Sequence, residues 1–113
     1  MNEIEYYERL IRKLLSYRKL QVQYFKTRQY VILQNAKETA IVVDDLINYL
    51  NIYCSLPETI RLLNIASRFR KSEKIYFESR EQRDLISVKL IQKELDDFLS
   101  NTNYVKYGEL DIS

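Results

Sequence analysis

An all-α chain built from two copies of a helical hairpin is what this sequence predicts, and three observations predict it. Gly and Pro occur once each, as Gly108 and Pro57, whereas a sheet protein needs such residues at nearly every hairpin turn. Apolar residues recur at spacings of three and four along four separate stretches. The chain also repeats itself at an offset of 52 residues: positions 18–47 align without a gap on 70–99 with nine identities. The matches are Arg18-Lys19 with Arg70-Lys71, Tyr24-Phe25 with Tyr76-Phe77, Arg28 with Arg80, Leu33 with Leu85, Lys37 with Lys89, and Asp44-Asp45 with Asp96-Asp97. Neighbours match in kind, as Tyr17 does Phe69 and Thr27 does Ser79. A fixed period sets the architecture before any single residue does.

The first segment runs from Asn2 to about Lys26, with a stripe at Ile4, Tyr7, Ile11, Leu14, Arg18, Gln21 and Phe25. Asn2 followed by Glu5 reads as a capping box at its start. A break is expected near residues 27–29, although neither Gly nor Pro forces it. The second segment, from about Gln29 to Leu50, carries Leu33, Ala36, Ala40, Val43, Ile47 and Leu50 on its stripe. Residues 51–57 read as the central connection, with Ser55 and Glu58 as a second capping box and Pro57 tolerated in the first helical turn. The third segment, from about Leu56 to Glu78, places Leu63, Ala66, Arg70, Glu73 and Phe77 at positions equivalent to the first. Ser79 with Gln82 reads as a third box, opening a fourth helix with Leu85, Val88, Gln92, Leu95 and Leu99 on its stripe.

The whole chain, 1–113, reads as one domain, with repeats at about 3–50 and 56–100 and a polar, loosely attached tail at 101–113. At this length it can bury a real core. Two hairpins joined by a short link bury their stripes against each other as an antiparallel four-helix bundle. The alternative is two nearly continuous helices of about 48 residues in an extended hairpin.

The repeated polar residues are the first candidates for a role. Arg18 and Arg70 fall on the apolar stripes, and Asp44 and Asp96 adjoin the stripes of the returning helices. A hairpin turning near Arg28 brings Arg18 toward Asp44, and by the same argument Arg70 toward Asp96. Such pairs fix hairpin register. Phe25 and Phe77, on the stripes, read as core plugs. Tyr24 and Tyr76, one step round the helix, read as boundary residues suited to an interface.

Charge is segregated, although the formal net charge is only +2. Residues 9–37 carry Arg9, Arg12, Lys13, Arg18, Lys19, Lys26, Arg28 and Lys37 with no acidic residue, and 38–60 carry Glu38, Asp44, Asp45 and Glu58 with no basic one. The plainest reading is that the basic first helix neutralises the acidic end of the second. A nucleic-acid contact through Arg12, Lys13, Lys19, Lys26 and Arg28 is the alternative, and an acidic protein partner a third.

Enzyme chemistry finds little to work with. Histidine is absent, which removes Ser-His and Cys-His nucleophile systems and the Glu-x-x-His di-iron motif. There is no Gly-rich phosphate loop. Cys54 is alone, so no intrachain disulfide forms and a reducing compartment is expected. No cofactor or metal is expected. No apolar run approaches the roughly 18 residues of a membrane span, and the N-terminus does not resemble a signal peptide.

The repeated pattern R-K-x4-Y-F-x-[TS]-R-x4-L-x3-K-x6-D-D resembles a motif of short uncharacterised helical proteins in phages and mobile elements of Bacteroidetes. The stretch Tyr17 to Arg28, then Leu33, Lys37 and Val43-Asp44, carries the likeness. The second copy departs from it with Glu73 where Gln21 stands. The resemblance implies origin, a phage or mobile-element accessory protein, and no activity. The functional expectation is therefore a non-enzymatic structural or interaction protein, binding a protein partner or itself, cytoplasmic in a host cell or associated with a virion.

Overall fold

The computed structural model describes residues 2–102. The chain forms four helices: α1 (Glu3–Thr27), α2 (Tyr30–Tyr53), α3 (Pro57–Ser79) and α4 (Gln82–Ser100). They pack as two hairpins, α1 with α2 and α3 with α4, in an antiparallel bundle. The longest dimension is 36 Å. A continuous helix of about 48 residues would be about 72 Å long, so the extended two-helix alternative is ruled out. The expected tail from Asn103 onward lies outside the described residues.

Each hairpin turns through one strained residue. Arg28 and Arg80 adopt left-handed backbone conformation, with φ of 55° and 56°. In that conformation the N–H of Arg28 donates to the Tyr24 carbonyl and that of Arg80 to the Tyr76 carbonyl, both at 2.7 Å. The helix is thereby closed without the glycine that usually occupies this position. The preceding hydroxyl completes the turn: Thr27 Oγ1 accepts from the Gln29 N–H at 3.4 Å and Ser79 Oγ from the Glu81 N–H at 3.2 Å. Links of two residues follow, which force α2 and α4 back antiparallel.

The helix starts agree with expectation at one site and differ at two. Asn2 Oδ1 accepts the Glu5 N–H at 2.9 Å, as the first capping box requires. Ser55 does not cap α3. The helix α2 continues to Tyr53, and Leu56 becomes the N-terminal flanking residue of α3, with Pro57 in the first turn. The capping carboxylate comes from α1 instead. Glu3 accepts from the Ser55 N–H at 2.9 Å, the Ser55 hydroxyl at 3.1 Å and the Leu56 N–H at 2.9 Å. Burial opposes the charge on Glu3, but the hydrogen bonds from Leu56, Thr59 and Ser55 outweigh it and hold the carboxyl below its ordinary range. Ser79 does not form its box with Gln82 either; its hydroxyl meets Asp84, and Glu81 flanks α4.

The core joins all four helices. Leu10, Leu14, Leu15, Val43, Leu50, Leu62, Phe69, Leu95 and Leu99 are sealed from solvent or nearly so. The predicted stripes hold through their middles, at Ile11, Leu14, Ala36, Ala40, Val43, Ile47, Leu63, Ala66 and Leu95. The stripes of α2 and α4 stay buried to their last members, Leu50 and Leu99, whereas those of α1 and α3 fail at their ends. Ile4 is exposed, and so are Phe25 (60%) and Phe77 (50%). The two phenylalanines are not core plugs, because they lie in the last turn before each cap, where a guanidinium rather than an apolar side chain covers the ring.

Candidate functional site

Two structural features use the repeated residues. The first is a polar cluster that joins the two hairpins. Arg18 is 3% exposed, Arg70 9% and Glu73 3%. Burying these charges is tolerable only if each is paired and hydrogen-bonded, and every one is. Arg18 does not reach Asp44. Its Nε and Nη2 donate to the two carboxylate oxygens of Asp96 on α4, at 2.8 and 2.9 Å. Arg70 Nε and Nη2 donate in the same two-pronged way to Asp44 on α2, at 2.8 and 3.2 Å. The expected pairs exist with their partners exchanged. Each arginine leaves its own hairpin and grips the returning helix of the other, because the stripe that carries it faces the opposite hairpin.

The rest of the cluster repeats this exchange. The Arg18 guanidinium lies 6.0 Å from the Phe69 ring centroid, and that of Arg70 5.4 Å from the Tyr17 ring. Arg18 Nη1 donates to Gln21 Oε1, and Arg70 Nη1 to Glu73 Oε1 at 2.6 Å. Residues 52 apart thus make matching contacts across the bundle. The match breaks at one point. Tyr17 carries a hydroxyl that Phe69 lacks, and it donates to Glu73 Oε1 at 2.9 Å while accepting from Arg70 Nη1 at 3.0 Å. Gln21 Nε2 donates to the other Glu73 oxygen at 2.7 Å. The departure of Glu73 from Gln21 and that of Tyr17 from Phe69 therefore meet in one place.

The electrostatics follow from this geometry. Burial pushes the Tyr17 hydroxyl far above its ordinary range, and the Glu73 carboxylate pushes it further. Burial works against the Arg70 cation, but Asp44, Tyr17 and Glu73 more than compensate, so it remains charged. Burial raises the Asp44 carboxyl, yet the Arg70 hydrogen bonds and the Lys74 ammonium at 3.1 Å bring it below the usual carboxylate range. The acidic end of α2 is therefore neutralised by α3, not by α1. No buried side-chain polar atom among the described residues lacks a hydrogen-bond partner.

The second feature is the turn end of the bundle, where the Tyr-Phe-x-[Thr/Ser]-Arg pattern acquires a physical meaning. The left-handed cap folds each arginine back over its own aromatic pair. The Arg28 guanidinium lies 5.3 Å from the Tyr24 centroid and 5.1 Å from that of Phe25. Arg80 lies 5.6 Å from Tyr76 and 5.5 Å from Phe77. Tyr24 and Tyr76 are half-buried, as boundary residues should be. Lys89, from α4, covers Phe25 as well at 5.4 Å. Phe25, Phe77, Tyr76 and Lys89 border one hollow of about 80 Å³.

The remaining basic candidates divide. Arg12, Lys19 and Lys26 are exposed on the outward face of α1, spaced two turns apart, whereas Lys13 is half-buried and Arg28 belongs to the cap. At the opposite end, a groove of about 480 Å³ lies between α1, α3 and α4, with Ile4, Phe98, Glu58 and Asn101 on its walls. Residues 52 positions before Glu58 and Asn101 are Tyr6 and Tyr49, whose rings stack with centroids 4.1 Å apart. Cys54 is a half-buried free thiol at the C-terminal cap of α2. No group of three or more Cys, Asp or Glu side chains among the described residues is placed to hold a metal ion. None of the described helices is long and apolar enough to cross a membrane.

Sequence reasoning missed the Tyr17–Glu73 link, the Glu3 clamp and the arginine caps. The first had a signal in the paired departures at 17/69 and 21/73. No protein-family model, curated protein or solved structure matches the chain.

Proposed function

We propose that this chain is a non-enzymatic interaction protein, a duplicated helical hairpin that presents the turn end of its bundle to a protein partner or to a second copy of itself. One observation carries the reading. The repeated pattern divides into an inward half, the buried Arg18 and Arg70 with the half-buried Asp44 and Asp96, which pair with one another, and a surface half, Phe25, Arg28, Phe77 and Arg80, that faces solvent. The arginines and their carboxylate partners hold one another across the two hairpins. Exposed aromatic rings beside arginine are the chemistry of interface hot spots. The resemblance to phage and mobile-element proteins supports an accessory role in such an element.

The exposed row of Arg12, Lys19 and Lys26 favours a second reading, contact with a nucleic-acid backbone. Its steps of about 10.5 Å along the helix place cations at intervals a phosphate chain can follow.

Light scattering at low and high salt, with and without a short DNA duplex, tests both. Self-association that ignores DNA and is lost in a Phe25→Ala/Phe77→Ala variant supports the interaction reading. A salt-sensitive mass increase on adding DNA, lost on reversing Lys19 and Lys26, replaces it with the second.

A further inference from the structure

The turn end carries a receptor geometry that the general reading does not specify. A residue held in left-handed conformation is ordinarily glycine, because a side chain there crowds the backbone. Both halves of this chain place arginine there instead. Each guanidinium lies within 5.6 Å of two ring centroids, which hold it through cation–π attraction, and both arginines are exposed to solvent. Among the described residues no carboxylate pairs with Arg28 or Arg80. Arg68 and Arg83, by contrast, meet Glu94 and Glu81. Within residues 23–33 and 75–85, together with Lys89, there are five basic and three acidic side chains, and Glu81 already belongs to Arg83. Beside the rings lies the hollow of about 80 Å³, lined by Phe25, Tyr76, Phe77, Leu85, Val88 and Lys89 and also by Gln21, Gln92 and Glu73, whose carboxylate is already held by Tyr17, Gln21 and Arg70.

From this juxtaposition we infer that the turn end binds an acidic peptide segment of a partner protein that carries one apolar anchor residue. The anchor fills the hollow, and flanking carboxylates take the Arg28 and Arg80 guanidiniums in two-pronged pairs. A planar, ring-supported guanidinium is already ordered before it binds, so less rotamer freedom is lost on contact than at a free arginine or lysine. Positive charge, a small and mostly apolar hollow and ring-supported guanidiniums together match this occupant. The inference rests on the interaction reading and narrows it.

The test uses the full chain and a ten-residue peptide of glutamates with a single central leucine. Binding is followed by amide chemical shifts and by fluorescence anisotropy. The expected result is saturable binding that weakens with salt, with the largest shifts at residues 25, 28, 77, 80 and 89. The Arg28→Gly/Arg80→Gly variant keeps the left-handed turns relaxed while deleting both guanidiniums, and should bind about a hundredfold more weakly, roughly one decade per fork. Replacing the leucine by serine should weaken binding as well. Absence of binding at millimolar peptide, or equal binding by the glycine variant, overturns the inference. So does tighter binding of a ten-nucleotide single strand to the same residues. If the peptide fails while the Phe25→Ala/Phe77→Ala variant still abolishes self-association, the acidic partner is wrong and the interaction reading survives.

Discussion

Arg18 grips Asp96, 78 residues away, while the Asp44 of its own hairpin is held by Arg70. Both grips are two-pronged, and both join one hairpin to the other. The hairpins are therefore locked in register by exchanged charge pairs, and the pairs report how the two halves stack rather than how each half turns. This exchange also describes what two identical hairpins would do as a symmetric dimer.

A double-mutant cycle should separate the two pairings. Arg18→Ala and Arg70→Ala should each destabilise by about 2–3 kcal/mol, because a partly buried carboxylate loses its partner. The coupling energy between Arg18 and Asp96 should be about 1–3 kcal/mol, and that between Arg18 and Asp44 within about 0.5 kcal/mol of zero. Urea unfolding of the single and double variants measures both. Strong coupling to Asp44 would contradict the exchanged arrangement.

Tyr17→Phe makes the first half like the second. It removes the hydroxyl shared by Glu73 and Arg70 and should cost about 1–2 kcal/mol at neutral pH. The pH dependence carries a sharper signature. Because burial and Glu73 raise the Tyr17 hydroxyl, its contribution is complete below the unfolded value of about 10 and is lost as pH rises toward the folded value. The gap between wild type and variant should narrow above about pH 10. A constant gap in alkaline unfolding curves would place the hydroxyl in solvent.

Asp44 governs the acid side. Burial raises its carboxyl, but Arg70 and Lys74 lower it by more. A lowered carboxyl contributes stability that is present above the unfolded value of about 3.9 and lost as pH falls through the folded value. The advantage of wild type over Asp44→Asn should therefore shrink below about pH 4. Thermal unfolding between pH 2 and pH 7 gives the comparison directly.

Glycine at the caps should be tolerated. Arg28→Gly relieves a left-handed side chain, a gain of about 1 kcal/mol, and loses stacking worth about 0.5–1 kcal/mol at an exposed site. The net change should lie between zero and about 0.5 kcal/mol of stabilisation, and the same holds for Arg80→Gly. A loss beyond about 1 kcal/mol in either variant would mean the arginine is a structural brace.

Glu3 clamps the link between the hairpins from the far end of the chain. Glu3→Ala should raise hydrogen exchange at the Ser55 and Leu56 amides by about tenfold, with exchange in the middle of α3 unchanged. Equal protection in the variant would show that the link is held by its own turn.

Much of the fold was legible in the residues. The spacing of Leu14, Ala40, Val43 and Leu95 identifies four amphipathic helices, Asn2 identifies the first start, and scarce glycine and proline exclude a sheet. The break near residue 28 was legible as a position, while its mechanism was not, because nothing in a one-dimensional pattern announces an arginine in left-handed conformation. The caps expected of Ser55 and Ser79 failed for a related reason. A serine before a helix competes with any better acceptor the fold brings near, and Glu3 and the αL turns supplied other arrangements.

Residue order alone specifies the set of helices, their apolar faces, the two arginines set into those faces and the two aspartates beside them. Helical periodicity is local, so it is written in the order of the residues. Which arginine meets which aspartate was decided only by tertiary structure, because the two halves are alike and offer each arginine two equivalent partners. The same is true of Phe25 and Phe77. Periodicity assigns them to the core face, but at the end of a bundle that face has no helix beyond it, and the ring is left to the guanidinium that folds back over it.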